Sequence, residues 1–230
     1  MTTDVSTSFC ARLRKATSPI WEAQLRHPFL LALADGSLPP ETFEFYIRQD
    51  ARYLDQFAKC YAYAVTKSRD HAEIEWFGNG ILHVLQVEQA LHQQYAARFG
   101  VSIEEMQRTP MAPTTYAYTR HMLYASATGS MAALLAAILP CAWVYAEVGR
   151  HFTALLGGAT RPDHPYGEWL ATYSSPEFEA VGAFLRERLD AHAAGLPERE
   201  LTELEQIFLT SCHYEYMFWD QAHMRESWPV

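Results

Sequence analysis

The 230-residue sequence lacks the marks of a sheet protein. Apolar and polar positions nowhere alternate with period two for long enough to define strands or a hairpin. It also lacks a Gly-rich phosphate loop, a P-loop, HExxH and GxSxG, so nucleotide use is not supported. Cysteine is scarce. Cys10, Cys60, Cys141 and Cys212 form no CxxC pair and no metal-ligand spacing, the pattern of reduced thiols in a cytosolic protein. Positive charge is short as well: 18 Lys and Arg against 27 Asp and Glu leave a formal charge of -9. Nucleic acid and anionic membrane need a basic surface, so both are excluded as expected partners. No block of like charge is long enough for a tail. The segment MTTDVSTSFCARLRKATS is polar and has no apolar signal-peptide region. A cytoplasmic location is therefore expected.

What is present is apolar and aromatic. Apolar residues make up 49% and aromatic residues 13%, enough for a large core or a pocket lined for a flat ligand. Length and the lack of repeats or linkers predict one all-α domain over residues 1–230. A first helical segment spans about Ser6–Arg26 with a break or new start at Pro19. A short helix stops at Asp35-Gly36, and Leu38-Pro39-Pro40 opens the next, which runs to about Ser68. Another covers about Ala72–Phe99, ended by Gly100. Thr109–Pro113 reads as a loop. Further helices are expected over Thr114–Ala127, Ser130–Leu156, Tyr166–Tyr173, Pro176–Ala193 and Pro197–Glu226. The most apolar stretch, Met131–Ala146, is short for a membrane span and reads as a core helix.

Three residues break the pattern of their own helix. Asp50 sits in the stripe Phe43, Tyr46, Ile47, Tyr53, Leu54, Phe57, Tyr61, where an unpaired carboxylate is expensive to bury. Glu215 sits likewise among Leu204, Ile207, Phe208, Ser211, Cys212, Phe218 and Trp219. Each reads either as a structural buried pair or as a ligand-binding or proton-handling acid. Two such acids on separate helices favour a site. Cys141 follows Pro140 inside the most apolar helix. Proline cannot donate to the carbonyl of Ala136 and should kink the helix, presenting the thiol to a cavity. A small core residue is the plainer reading. A metal constellation is the rival: Glu88 and His92 are four apart, with His83 on the same helix, but no second Glu-x-x-His motif answers them. An exposed pair explains them more simply.

At these residues the chain resembles the TenA / thiaminase II family, from about Trp21 to Trp228. The resemblance is carried by His27-Pro28-Phe29, by Asp35-Gly36 with Leu38-Pro39, and by Tyr46-Ile47-Arg48-Gln49-Asp50 with Tyr53-Leu54. Further on it is carried by Pro113-Thr114 with Tyr116-Ala117-Tyr118-Thr119, by Leu139-Pro140-Cys141 with Tyr145 and Glu147-Val148-Gly149, and by Tyr214-Glu215-Tyr216 with Phe218-Trp219. It implies the haem-oxygenase-like helical fold without haem or another cofactor, a homotetramer, and a pocket for 4-amino-2-methylpyrimidines. It further implies Cys141 as nucleophile, Asp50 as the acid on the pyrimidine ring and its amino group, and Glu215 as the second catalytic acid. Tyr118 would hydrogen-bond near the sulfur. Tyr53, Tyr145, Tyr173 and Phe218 would line the pocket. Cys141 is similar to the cysteine-containing branch of that family. The implied reaction is hydrolysis in thiamin salvage, releasing hydroxymethyl pyrimidine from thiamin or from an aminomethyl pyrimidine. The alternatives are a pyrimidine-binding regulator and a metal-dependent oxidase of the same fold.

Overall fold

The computed structural model describes residues 8–85, 89–100, 102–158 and 163–230, with all side chains in those ranges except 89–92, 97, 103 and 107. Among the described residues there are twelve α-helices and no strand: α1 Phe9–Ala16, α2 Ser18–Gln24, α3 Pro28–Asp35, α4 Pro40–Lys67, α5 His71–His83, α6 Gln89–Phe99, α7 Ile103–Arg108, α8 Pro113–Thr128, α9 Met131–Leu155, α10 Gly167–Tyr173, α11 Pro176–Ala193 and α12 Glu198–Met224. The all-α expectation holds.

The helix starts follow local chemistry. Side chains of Ser8, Asp70, Ser102 and Ser175 accept first-turn amides of α1, α5, α7 and α11, the ordinary N-cap role. Pro28, Pro40 and Pro176 stand in first turns, where a missing N–H costs nothing. Gly36 ends α3 at φ +83°, a conformation glycine adopts without strain.

The expected helix over Ala72–Phe99 is seen as α5 and α6 on either side of residues 86–88, which lie outside the described ranges. The short α7 is not among the expected helices. Its cause is a capping box, Ser102 with Glu105, in which each side chain bonds the other's backbone amide.

The chain folds into two compact units, one of Met1–Leu38 with Leu135–Tyr216 and one of Pro39–Leu134 with Met217–Val230. The later boundaries fall inside α9 and α12.

In the first unit Trp21 stacks on Phe208 and meets Trp143 edge-on at 5.2 Å. The Arg14 guanidinium lies 4.5 Å above the Trp21 ring and pairs with Glu147 at 2.9 Å. The residues just before α10 are pinned to the end of α3. Tyr166 donates its hydroxyl to Leu38 O at 2.6 Å. His164 Nδ1 accepts from Tyr166 N, so its proton sits on Nε2 and is donated to Ala34 O at 2.9 Å.

In the second unit α4 packs along α5 and α8 and touches α6 and α7. Phe43 meets Tyr95, Tyr46 stacks on Trp219, and Tyr61 packs on Phe77. Buried Gln49 donates to Pro110 O at 3.0 Å and accepts from Ala112 N at 2.8 Å. It thereby fastens the loop that feeds α8.

Helix α9 is long and apolar enough to cross a membrane, yet most of that apolar stretch is buried inside the protein. Leu134 through Leu139 have no exposed surface at all. It is a core helix, as its composition suggests.

Candidate active site

The residues singled out from sequence fall into two groups, one in each unit. In the second unit α4 carries Asp50 and Tyr53, α8 carries Tyr118 and α12 carries Phe218. The Tyr53 ring lies 5.2 Å from that of Tyr118 and 5.6 Å from that of Phe218. Phe218 also meets Tyr46 edge-on. The Tyr53 hydroxyl donates to the Met122 sulfur at 3.3 Å. All three ring residues are buried, and Tyr118 completely so. Asp50, three residues before Tyr53, is 5% exposed. A carboxylate on this aromatic stripe is the first departure from pattern in the sequence, and its burial is observed.

In the first unit α9 carries Cys141 and Tyr145, α10 carries Tyr173 and α12 carries Glu215. The Tyr145 and Tyr173 rings stand 4.7 Å apart, edge to face. Trp169 closes the cluster, 4.6 Å from Tyr173 and 5.8 Å from Tyr145. Sequence reasoning missed Trp169. Its only signal is its place one turn before Tyr173 on a short helix. Glu215 is 2% exposed.

Gly149 decides how close these rings come. A Cβ placed on it would lie 2.4 Å from the carbonyl carbon of Tyr173, 2.6 Å from its oxygen and 2.7 Å from Ser174 N. No real Cβ tolerates such distances to backbone. Glycine one turn beyond Tyr145 therefore lets the end of α10 lie directly on α9.

α9 runs on through Pro140. Proline removes the N–H that would otherwise bond the Ala136 carbonyl. The next carbonyl, that of Ala137, receives the buried hydroxyl of Ser211 from α12 at 2.8 Å. Cys141 lies one turn along α9 from this bond, and Glu215 one turn along α12. Ser211 stands on the same stripe as Glu215 in the sequence, where spacing alone gives it no role.

Cysteine chemistry separates Cys141 from the others. Cys10, Cys60 and Cys212 are buried, whereas Cys141 is partly exposed. Burial pushes the Cys60 thiol up to about 11. Burial, reinforced by Asp190, raises that of Cys10 further, and burial beside Glu215 does the same for Cys212. Thiols so raised hold no appreciable thiolate at neutral pH and are poor nucleophiles.

The rival metal pair Glu88 and His92 lies outside the residues and side chains described. Among the described residues no three His, Cys, Asp or Glu side chains are placed to hold a metal ion.

The helical architecture defines the class. A TenA homologue from P. horikoshii OT3 superposes with a TM-score of 0.86 at 27% identity, covering 95% of this chain and 99% of its own. A domain with a heme oxygenase-like fold from Shewanella denitrificans OS217 superposes at 0.69 with 15% identity over 94% and 92%. The fold is haem-oxygenase-like. The family is set by sequence: the TENA/THI-4/PQQC family model matches residues 14–226, and the chain belongs to that family. A relative from Halalkalibacterium halodurans, named aminopyrimidine aminohydrolase, is 40% identical over 222 residues, 96% of this chain and 98% of its own.

Proposed function

We propose that this chain is an aminopyrimidine aminohydrolase of the thiaminase II type, using Cys141 as nucleophile. The observation that carries the reading is that Cys141, at the proline turn of α9, is the one cysteine of the four that is partly exposed. The name of the Halalkalibacterium halodurans relative supports the substrate class. The family match spans both compact units, which supports one functional domain over residues 1–230.

The chemistry follows from the substrate. An aromatic pyrimidine resists direct displacement at the methylene on C5, and covalent catalysis offers a route. The Cys141 thiolate adds to an electron-poor ring carbon, and the electron pair displaced onto ring nitrogen takes up a proton. The resulting enamine-like ring expels the group on the methylene, thiazole from thiamin or ammonia from an aminomethyl pyrimidine. Water adds to the exocyclic carbon, the ring nitrogen loses its proton and the thiolate leaves, giving 4-amino-5-hydroxymethyl-2-methylpyrimidine. In this scheme Asp50 hydrogen-bonds the ring nitrogen and amino group. Glu215 carries protons to the ring or leaving group. Tyr118 hydrogen-bonds near the sulfur, and Tyr53, Tyr145, Tyr173 and Phe218 clamp the flat ring.

Glu215→Gln should lower kcat by about a hundredfold, the usual contribution of a positioned proton carrier. Asp50→Asn should raise KM about tenfold by mispairing the amino group. Steady-state kinetics on 4-amino-5-aminomethyl-2-methylpyrimidine measures both. If the two variants kept wild-type constants, these roles would be wrong.

The same resemblance supports a homotetramer working in the cytoplasm. Light scattering on the eluting peak should return four times the 26.2 kDa chain mass. A monomer or dimer mass would refute the tetramer.

A further inference from the structure

Helix α8 starts without a cap of its own. Its N-cap residue is Ala112, which has no side-chain acceptor, and Pro113 follows in the first turn. The amides of the first turn must find acceptors elsewhere or stay unsatisfied. They find them on α12 and just beyond it. Thr114 N donates to Glu226 Oε2 at 2.9 Å. Thr115 N donates to Gln221 Oε1 at 3.1 Å, and Thr115 Oγ1 donates to the same oxygen at 2.9 Å. The separations in sequence are 112 and 106 residues.

The arrangement is specific. An amide N–H can only donate, so the oxygen end of Gln221 must face Thr115. Its amino end is then buried and has no partner among the described residues, a costly state that the oxygen contact alone explains. The end of α12 is shaped to deliver Glu226. Arg225 takes a left-handed conformation at φ +49°, and the turn closes through Arg225 N to Ala222 O and Glu226 N to Gln221 O at 2.8 Å. Trp228 then donates its indole N–H to Met111 O at 2.9 Å and meets the Tyr116 ring.

Tyr118 lies three and four residues beyond the two capped threonines. Phe218 lies three residues before Gln221. Both rings face Tyr53. We propose that Gln221 and Glu226 are positioning residues for the reaction: by capping α8 in trans they set where Tyr118 stands against Tyr53 and Phe218. The inference rests on the hydrolase reading above, in which Tyr118 serves the chemistry.

The test is a mutant cycle. Gln221→Leu and Glu226→Ala are made alone and in a Tyr118→Phe background. Turnover of 4-amino-5-aminomethyl-2-methylpyrimidine and melting temperature are measured for each. Alone, Gln221→Leu should lower kcat about tenfold and Glu226→Ala about threefold, in line with the loss of a helix cap. Glu226→Gln keeps the acceptor oxygen and should restore the rate. In the Tyr118→Phe background the same substitutions should change kcat by less than about twofold, because coupled residues are not additive. Equal losses in both backgrounds would show a merely structural cap and overturn the inference, as would wild-type kinetics for Glu226→Ala. Should Gln221→Leu not fold, Glu226→Ala at the partly exposed end carries the cycle. A wild-type chain without turnover would overturn the hydrolase reading and this inference with it, whereas turnover with additive losses would overturn this inference alone.

Discussion

Cys141→Ser should abolish product. Incubated with thiamin or with 4-amino-5-aminomethyl-2-methylpyrimidine, the variant should lose at least about a thousandfold in rate, because an un-ionised serine hydroxyl is a far weaker nucleophile than a thiolate. The substitution is nearly isosteric, so the melting temperature should hold within a few degrees. Cys10→Ser is the matched control. That thiol donates to Arg186 O, serine keeps a donor there, and its burial keeps it out of the chemistry. Mass-detected chromatography of hydroxymethyl pyrimidine gives the answer. The faster of the two substrates names the pathway. A Cys141→Ser enzyme retaining more than about a tenth of the wild-type rate would end the covalent scheme.

Gly149→Ala is the second large effect, and its sign opposes intuition. In an open helix, glycine to alanine stabilises by up to about 1 kcal/mol. At Gly149 the new methyl would run into the Tyr173–Ser174 peptide group, with its three atoms at 2.4, 2.6 and 2.7 Å. Backbone cannot rotate away as a side chain can. Overpacking of this kind costs about 1–3 kcal/mol and occasionally more. Net destabilisation of about 2 kcal/mol should lower the melting temperature by roughly 4–8 °C. The end of α10 must retreat from α9, so the Tyr145–Tyr173 pair opens and KM rises. Gly78 is the control. It sits in α5 with nothing within 4 Å of a new Cβ, and Gly78→Ala should raise the melting temperature slightly. If both variants were stabilised, the close approach of α10 to α9 would be wrong.

Much of this is legible in the sequence. An acid in an aromatic stripe is visible from spacing alone, and Asp50 and Glu215 are indeed buried. Helix starts at prolines and N-cap residues are readable to within a few positions, because their causes are local. The α7 capping box is equally local, but it stands in a short segment that leads straight into the Thr109–Pro113 loop and has no apolar period to announce a helix. Other features are not readable in principle. The cap of α8 comes from residues more than a hundred positions away, and no periodicity records that. The role of Gly149 depends on which backbone lies across from it. Trp169 joins the Tyr145 and Tyr173 rings through a contact that spacing along α10 alone cannot supply. The partial exposure of Cys141, which distinguishes it from three chemically identical thiols, is likewise a property of packing.

The trans cap has a consequence for how the chain comes off the ribosome. The second unit is complete only when Met217–Val230 joins Pro39–Leu134, and the first unit waits for Leu135–Tyr216 to join Met1–Leu38. Neither can close while the middle of the chain is still being translated, although α4 and α8 have long since emerged. The contacts that seal each unit are of high sequence separation, the kind that forms late and slowly. Nascent chains of this protein therefore carry apolar helix faces without their final partners for most of synthesis, and apolar surface left open in that way favours aggregation.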